Sequence, residues 1–593
     1  MSGLSTSFKR IFARFSPSML ALSAFSAFCT VCGGFACDKI PFTQLKFAGR
    51  VPLARLILLT MLLTVLLTAL GLWRRHLLCR VAPLCALFYG IVCCAHTASF
   101  YTAFGFLILL SILLIFVLRQ DRIAADSIRL PRWLGVTVIA LFAAIMAAYL
   151  ISAALMRYFA YNSPCYDFGI FAQMFHSMRT TGVPVTTCER EEAMSHFAVH
   201  VSPFFYLLLP FYMIIPRPET LLILQVLGVL SGVIPLYLLT RHFKLSEGQS
   251  IALCLLYLGC AALTGGIFYD FHENKFLTVL ILWLMWSIER KKLPLTVLFA
   301  LLTLSVKEDA AIYVLFIGLW MLLCRREKIV GLVLSIGSAG YFIAVTRWLS
   351  EYGDGAMFNR FSNIIGQGGI RDLIRTALTN PALLLNECMN AEKLVFAACI
   401  LLPLGFLPLM TKKLSSLILI CPMVIVNLIS DYTYQHNLDF QYAYGVMALL
   451  FYLSAANLPH VSDFASGFRT RRALICFALC ASALIGTVQI RNHSAVFRYY
   501  TERRDDSAVI TETLAAIPTG ASVRTSSMFA AHLASREKLY YLTNEKDADY
   551  VALDLRPYIS INSARGYDVE YFERLGYELI AQTEDVIALL RKP

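Results

Sequence analysis

The sequence predicts a mainly α fold: a polytopic bundle of about 13 to 15 transmembrane helices, with a small α/β domain at its C-terminal end. Three observations predict it. Of 593 residues, 58% are hydrophobic and only 15% are charged, a balance foreign to soluble globular chains. The apolar residues gather in runs of about 17 to 25, long enough to cross a bilayer core. Beyond Gln489 the runs stop, and short β-like stretches (ASVRTS, KLYYL, DYVALDL, YELIAQ) alternate with helix-like ones (MFAAHLAS, VEYFERLG).

Taken in order, basic residues Lys9, Arg10 and Arg14 precede the first run, 17 to 36, which is too long for a signal-peptide core and reads as a retained span. Further spans follow at 51 to 73, 77 to 97, 100 to 118 and 133 to 155. The net charge of +13 sits in short clusters between spans, the pattern of cytoplasmic loops, so it does not point to nucleic acid. Clusters at Arg74/Arg75/Arg80 and Arg119/Arg122/Arg129/Arg132 place the N-terminus inside and the loop after the fifth span outside. The clusters at Arg241/Lys244, Arg290/Lys291/Lys292, Arg325/Arg326/Lys328, Lys412/Lys413 and Arg469/Arg471/Arg472 are then all cytoplasmic, provided that spans run at 220 to 240, 249 to 267, 275 to 289, 293 to 306, 310 to 324, 329 to 349, 394 to 410, 413 to 430, 440 to 457 and 473 to 490. This parity closes only if the apolar segment 200 to 215 lies along the outer face. Three regions result: 1–120, an N-terminal four-helix extension; 133–490, a transmembrane core with an outer loop 156–216; and 491–593, an extracytoplasmic α/β domain.

The assignment gathers the polar apices on one side. Asp167 follows the fifth span beside Tyr166, and an ionisable group there is costly unless used; an N-cap for the helix that follows is the plainer role for the same residue. Asp270 and Glu273 flank His272 in YDFHEN, a set suited to a supporting acid or to a divalent metal ion, the one cofactor the residues suggest. Lys307, with Glu308 and Asp309 after it, reads as a phosphate clamp between two short spans or as an internally paired cluster. His196 and His200, four apart, would share one helix face. Arg360, Arg371 and Arg375 lie in the long loop after residue 350, as phosphate contacts or as solvated charges. Most of the seventeen cysteines fall inside apolar runs and behave as small hydrophobes, Cys29 and Cys32 among them. Cys165 and Cys188 share the outer loop, where a disulfide or two free thiols are equally open.

The motifs Y-D-F-G-I-F (166–171), H-F-x-x-H-x-S-P (196–203), F-Y-D-F-H-E (268–273) and K-E-D (307–309) occur in this order. From about residue 133 to the end, the chain resembles the bacterial membrane family known as domain of unknown function 2079. That family is similar to the GT-C superfamily of glycosyltransferases that use polyprenyl-phosphate sugars. The resemblance implies a plasma-membrane enzyme that moves a sugar from a polyprenyl-phosphate donor to a cell-envelope acceptor. Asp167, Asp270 and Glu273 are then the catalytic acids, and Lys307, Tyr166, His272, His196, His200 and Glu308 the substrate-binding groups; the implied partners are membrane lipid and the lipid-linked sugar. Phe168 stands where the superfamily often has a second acid. A transporter or flippase, and a non-enzymatic envelope assembly protein, are the alternative readings of the same residues.

Overall fold

In the computed structural model, the described residues are 16–37, 42–120, 130–163, 166–190, 192–325, 327–355, 358–364, 370–463, 468–557 and 566–593. Ten helices among them are long and apolar enough to cross a membrane. The principal helices are α1 (Pro17–Ala36), α2 (Leu53–Trp73), α3 (Arg75–Thr97), α4 (Phe100–Gln120), α5 (Arg132–Phe159), α6 (Tyr166–Thr181), α7 (Phe205–Ile214), α8 (Pro218–Ser231), α9 (Val233–His242), α10 (Glu247–Leu258), α11 (Leu277–Glu289), α12 (Leu293–Leu304), α13 (Ala310–Cys324), α14 (Lys328–Tyr352), α15 (Ala391–Leu401), α16 (Tyr444–Asn457), α17 (Phe468–His493) and α18 (Arg504–Ala515), with a short helix, α19 (Val569–Arg574), near the C-terminal end; further short helices, Ile370–Thr379 among them, lie between these. Helices α8 and α9 run almost without a break and together make one of the ten. The bundle is mainly α, as expected, and the first four helices are not separate from it: α3 and α4 pack against α17.

Helix α7 has only ten residues, about 15 Å, half the thickness of a hydrocarbon core. Helices α12 and α13 are short as well, and the turn between them carries Lys307 to Asp309. The expected spans 394 to 410 and 413 to 430 are not continuous α-helices. Helix α15 stops at Leu401, before a turn through Pro403, Gly405 (φ +57°) and Phe406 (φ +55°), and residues 414–428 form a 3₁₀ stretch and a π turn around Pro422. Proline withholds a helix N–H, and the apolar composition that marks a span does not register that loss.

Helices α11 and α13 start beside the polar turns at 273–276 and 307–309 and end about 20 Å away, at a second polar cluster. There buried Glu289 accepts hydrogen bonds from the Tyr452 hydroxyl (2.6 Å) and Arg325 Nη1 (3.0 Å), and pairs with His242 Nε2 at 3.2 Å. It ties the ends of α9, α11 and α13 to α16.

The C-terminal part forms a five-stranded mixed sheet from β3 (Val523–Thr525), β4 (Leu539–Tyr541), β5 (Tyr550–Asp554), β6 (Glu578–Thr583) and β7 (Ile587–Arg591), in the order β4-β3-β5-β7-β6; a hairpin, β1 (Val185–Thr186) with β2 (Met194–Ser195), lies earlier in the chain. Alternation sends Val551, Leu553, Ala588 and Leu590 to the face packed around Phe572 of α19. Helix α18 packs against β7.

This sheet unit is joined to the bundle by buried polar contacts. The His532 ring stacks on Tyr158 (3.9 Å) and Tyr161 (4.0 Å), and its Nε2 bonds the Tyr158 carbonyl at 3.0 Å. Burial holds the His532 pKa down at about 3, so the ring is neutral. Fully buried Arg556 pairs with Asp554 (2.7 Å) and donates to the carbonyls of Ala160 (3.1 Å) and Tyr161 (2.7 Å), just past the end of α5. At Gly169 an added Cβ would lie 2.7 Å from the Ala530 Cβ, so α6 and the sheet unit meet where only glycine fits.

Two substitutions separate these contributions. Arg556→Ala strands the Asp554 carboxylate and two carbonyls, and is expected to cost about 3 to 5 kcal/mol. His532→Phe keeps the stacking, loses one hydrogen bond, and should cost about 1 kcal/mol. Thermal unfolding of the full chain in detergent, with limited proteolysis of residues 491–593, measures both; equal effects would show that the buried ion pair does not govern docking.

Candidate active site

A cavity of about 630 Å³ opens at the start of α6. Its wall draws on six separate parts of the chain: α6, the β1–β2 hairpin with its following turn, the turn at 269–272, the turn at 307, the turn that carries Arg360 and the loop 432–442.

Helix α6 turns one apolar face inward. Phe168, Phe171, Ala172, Phe175 and Met178 recur at helical spacing and are buried. Phe171 packs on Phe205 (5.5 Å) and Phe271 (5.4 Å), and Phe175 on Phe205 (5.6 Å) and Tyr212 (5.4 Å). Buried Gln173 sets the register. Its Oε1 accepts from Thr186 Oγ1 (2.8 Å) and the Thr187 amide (2.9 Å), while its Nε2 donates to Thr187 Oγ1 (2.8 Å) and the Glu537 carbonyl (3.0 Å). One amide thus fastens α6 to the hairpin and to the C-terminal unit together.

Asp167 lies in the first turn of α6, and its Oδ2 accepts a 2.5 Å hydrogen bond from the Tyr269 hydroxyl. Burial raises the Asp167 pKa, opposed by that bond and by Lys307. A carboxylate so placed is a better proton acceptor than a solvated one.

The expected helix for His196 and His200 is instead a 3₁₀ turn, His196–Ala198, capped by Ser195, with Pro203 soon after. Both rings still reach the cavity, with centroids 6.0 Å apart. His196 Nδ1 lies 2.8 Å from Glu189 and His200 Nδ1 2.8 Å from Glu308. Burial lowers the His196 pKa, but Glu189 outweighs it and the net shift is upward. His200 is lowered to about 4 by burial and by Lys307, so it is neutral and donates to Glu308. Burial works against the Glu308 carboxylate, but His200 and Lys307 hold its pKa down at about 2. Glu308 also accepts the Val201 amide at 3.2 Å, which joins the turn at 307 to the segment that follows the hairpin.

Lys307 lines the cavity, and its Nζ is 3.6 Å from Glu273. Burial would lower its pKa, but Glu273, Glu308 and Asp309 turn the shift upward and keep the ammonium charged. His272 lines the cavity too, with its Nδ1 3.2 Å from Glu273. Burial and Lys307 push the His272 pKa well below the usual range. Asp270 and Glu273, expected as catalytic acids, stand behind the wall. Both are buried, and burial raises each pKa to about 7. Lys275 bonds Gln225 Oε1 (2.9 Å) and the carbonyls of Tyr269 and Asp270, holding this turn from beneath.

Arg360 also lines the cavity, over the rings of Tyr432 and Tyr442, whereas Arg371 and Arg375 are exposed on another helix. The Tyr166 side chain and Cys165 lie outside the described residues, so the Cys165–Cys188 disulfide does too. Cys188 is a buried free thiol, 3.4 Å from the Leu539 carbonyl. Among the described residues, no group of three His, Cys, Asp or Glu is placed to hold a metal ion. Sequence reasoning missed Tyr269 as the partner of Asp167, Glu189 as the partner of His196, Gln173 as the anchor of α6, and the rings of the 432–442 loop. Tyr269 alone had a local signal, its place directly before the acidic motif.

Residues 157–587 match the family model described as "Predicted membrane protein (DUF2079)", and the chain belongs to that family. No curated protein matches it. Among solved structures, ArnT from Cupriavidus metallidurans bound to undecaprenyl phosphate is similar over 77% of this chain and 98% of that one, at 10% identity and a TM-score of 0.46. The apo state of ArnT from the same organism is similar over 75% and 97%, at 10% identity and a TM-score of 0.38.

Tyr269→Phe removes a donor that favours the charged form of Asp167. The Asp167 pKa should rise further, so that the protonated-carboxyl band in infrared titration, identified by its loss in Asp167→Asn, persists to higher pH than in the wild type. An unchanged titration would mean that the phenol does not bond the carboxylate.

Proposed function

We propose that this member of the DUF2079 family is a membrane glycosyltransferase that moves a sugar from a polyprenyl-phosphate donor to an acceptor hydroxyl of the cell envelope. One observation carries the reading: a single cavity brings a carboxylate of raised pKa, Asp167, together with the ammonium of Lys307 and the imidazole of His196, from three separate elements. Sugar transfer needs both kinds of group within one substrate's length.

In this reading Asp167 takes the proton of the acceptor hydroxyl as its oxygen forms a bond to the anomeric carbon. The bond from that carbon to the phosphate oxygen breaks, and polyprenyl phosphate leaves with the electron pair, its new charge met by Lys307 and His196. Tyr269 aims the carboxylate, while Asp270 and Glu273 set the field from behind. Transferred charge and proton stay within the cavity, and no further reactant is needed.

A transporter would have to open the cavity to both ends of the bundle. The Glu289 cluster ties four helices together at the far end, which favours transfer over transport.

The test compares lipid-linked sugars and envelope glycans by mass spectrometry in wild-type, deletion and Asp167→Asn strains with matched expression. Both mutants should accumulate the donor lipid and lose one glycan modification. A modification retained at the wild-type level in Asp167→Asn would overturn the reading. Lys307→Ala should lower transfer by about two to three orders of magnitude, the range for losing one group that stabilises developing charge.

A further inference from the structure

The transfer reading leaves the acceptor open, and the cavity wall narrows it. From the Asp167 carboxylate a strip of aromatic rings leads outward. Tyr269, bonded to Asp167, has its ring 4.8 Å from that of Phe440. Phe440 lies 4.4 Å from Tyr434, and Tyr434 5.0 Å from Tyr432. All four line the cavity, and Tyr434, 43% exposed, stands where the strip meets the outside. Arg360 lies over Tyr432, 4.8 Å from its centroid, and over Tyr442.

Ring faces left in a half-open cavity are apolar area that folding has not buried, and three of these four rings carry a phenol hydroxyl. A ligand that fits both features has apolar C–H faces and hydroxyls at its edges, as a pyranose has. A lipid tail gains nothing from phenols and a guanidinium. The group that loses its proton to Asp167 belongs to the acceptor, and the strip begins there.

We propose that the acceptor is a glycan chain, laid along the Tyr269–Phe440–Tyr434–Tyr432 strip with its reacting hydroxyl at Asp167. The proposal rests on the transfer reading for the role of Asp167, but its binding half is tested separately. The full chain in lipid nanodiscs is immobilised and offered three fractions of source-cell envelope: glycan released by mild acid, extracted lipid, and delipidated protein. Wild type and Asp167→Asn should both retain the glycan fraction. Phe440→Ala with Tyr434→Ala should retain about tenfold less, the loss expected for two stacking rings. Phe440→Tyr, which keeps the ring, should retain it as wild type does. Each variant is first matched to wild type by size-exclusion profile, and the exposed Tyr434→Ala alone serves if the double variant does not fold. Failure of the wild type to retain glycan, retention of lipid or protein in its place, or undiminished retention by the ring variants would overturn the proposal. If transfer itself is misread, Asp167→Asn cells keep their glycan modification whatever the retention experiment gives.

Discussion

A carboxylate withdrawn from water must be matched by groups that tolerate its charge, and around Asp167 the fold is arranged to meet that demand. Its Oδ2 takes the Tyr269 hydroxyl, and the field of Lys307 reaches it across the cavity. Lys307 is in turn held charged by Glu273 and Glu308, and Glu308 binds His200 and the Val201 amide. A buried charge without such partners would neutralise instead. The turns at 269–276 and 305–309 and the segment 189–201 are therefore coupled, because each supplies a partner to another's charge.

The C-terminal unit belongs to the same arrangement. Gln173 is bonded on one side to the hairpin and on the other to the Glu537 carbonyl, and Gly169 lets Ala530 approach. Arg556 and His532 clasp the end of α5, shortly before Asp167 in the chain. The helix that presents the carboxylate is thus held near its start and at its middle by a unit that begins more than three hundred residues later. The angle at which Asp167 meets the cavity depends on that grip.

Much of this could be read before any coordinates. Run length reveals spans because a bilayer core demands about twenty apolar residues, and α1 to α5 fall within a few residues of expectation. Asp167, His196, His200, His272, Lys307 and Arg360 stood out as ionisable groups in polar apices, and all six line one cavity. What stayed hidden follows from long-range contact or local irregularity. The breaks at Pro403, Gly405 and Pro422 lie in stretches whose apolar composition still reads as spans. Strand β7 is an unbroken apolar run, which periodicity cannot tell from a short helix. Nothing near Glu189 announces its pairing with His196, since a hairpin brings them together, and the facing of each ring in the 432–442 loop is decided by neighbours far away in sequence.

The claim at the centre is that the ionised carboxylate of Asp167 drives transfer inside this cavity. The measurement that tests it most directly is release of polyprenyl phosphate by the purified full chain in nanodiscs, supplied with lipid-linked sugars and envelope glycan extracted from the deletion strain. The account predicts release by the wild type, fading as the pH falls through the raised pKa of Asp167, and none above background from Asp167→Asn. Equal release by the two proteins, or release by the wild type that does not change as the pH falls, would contradict it.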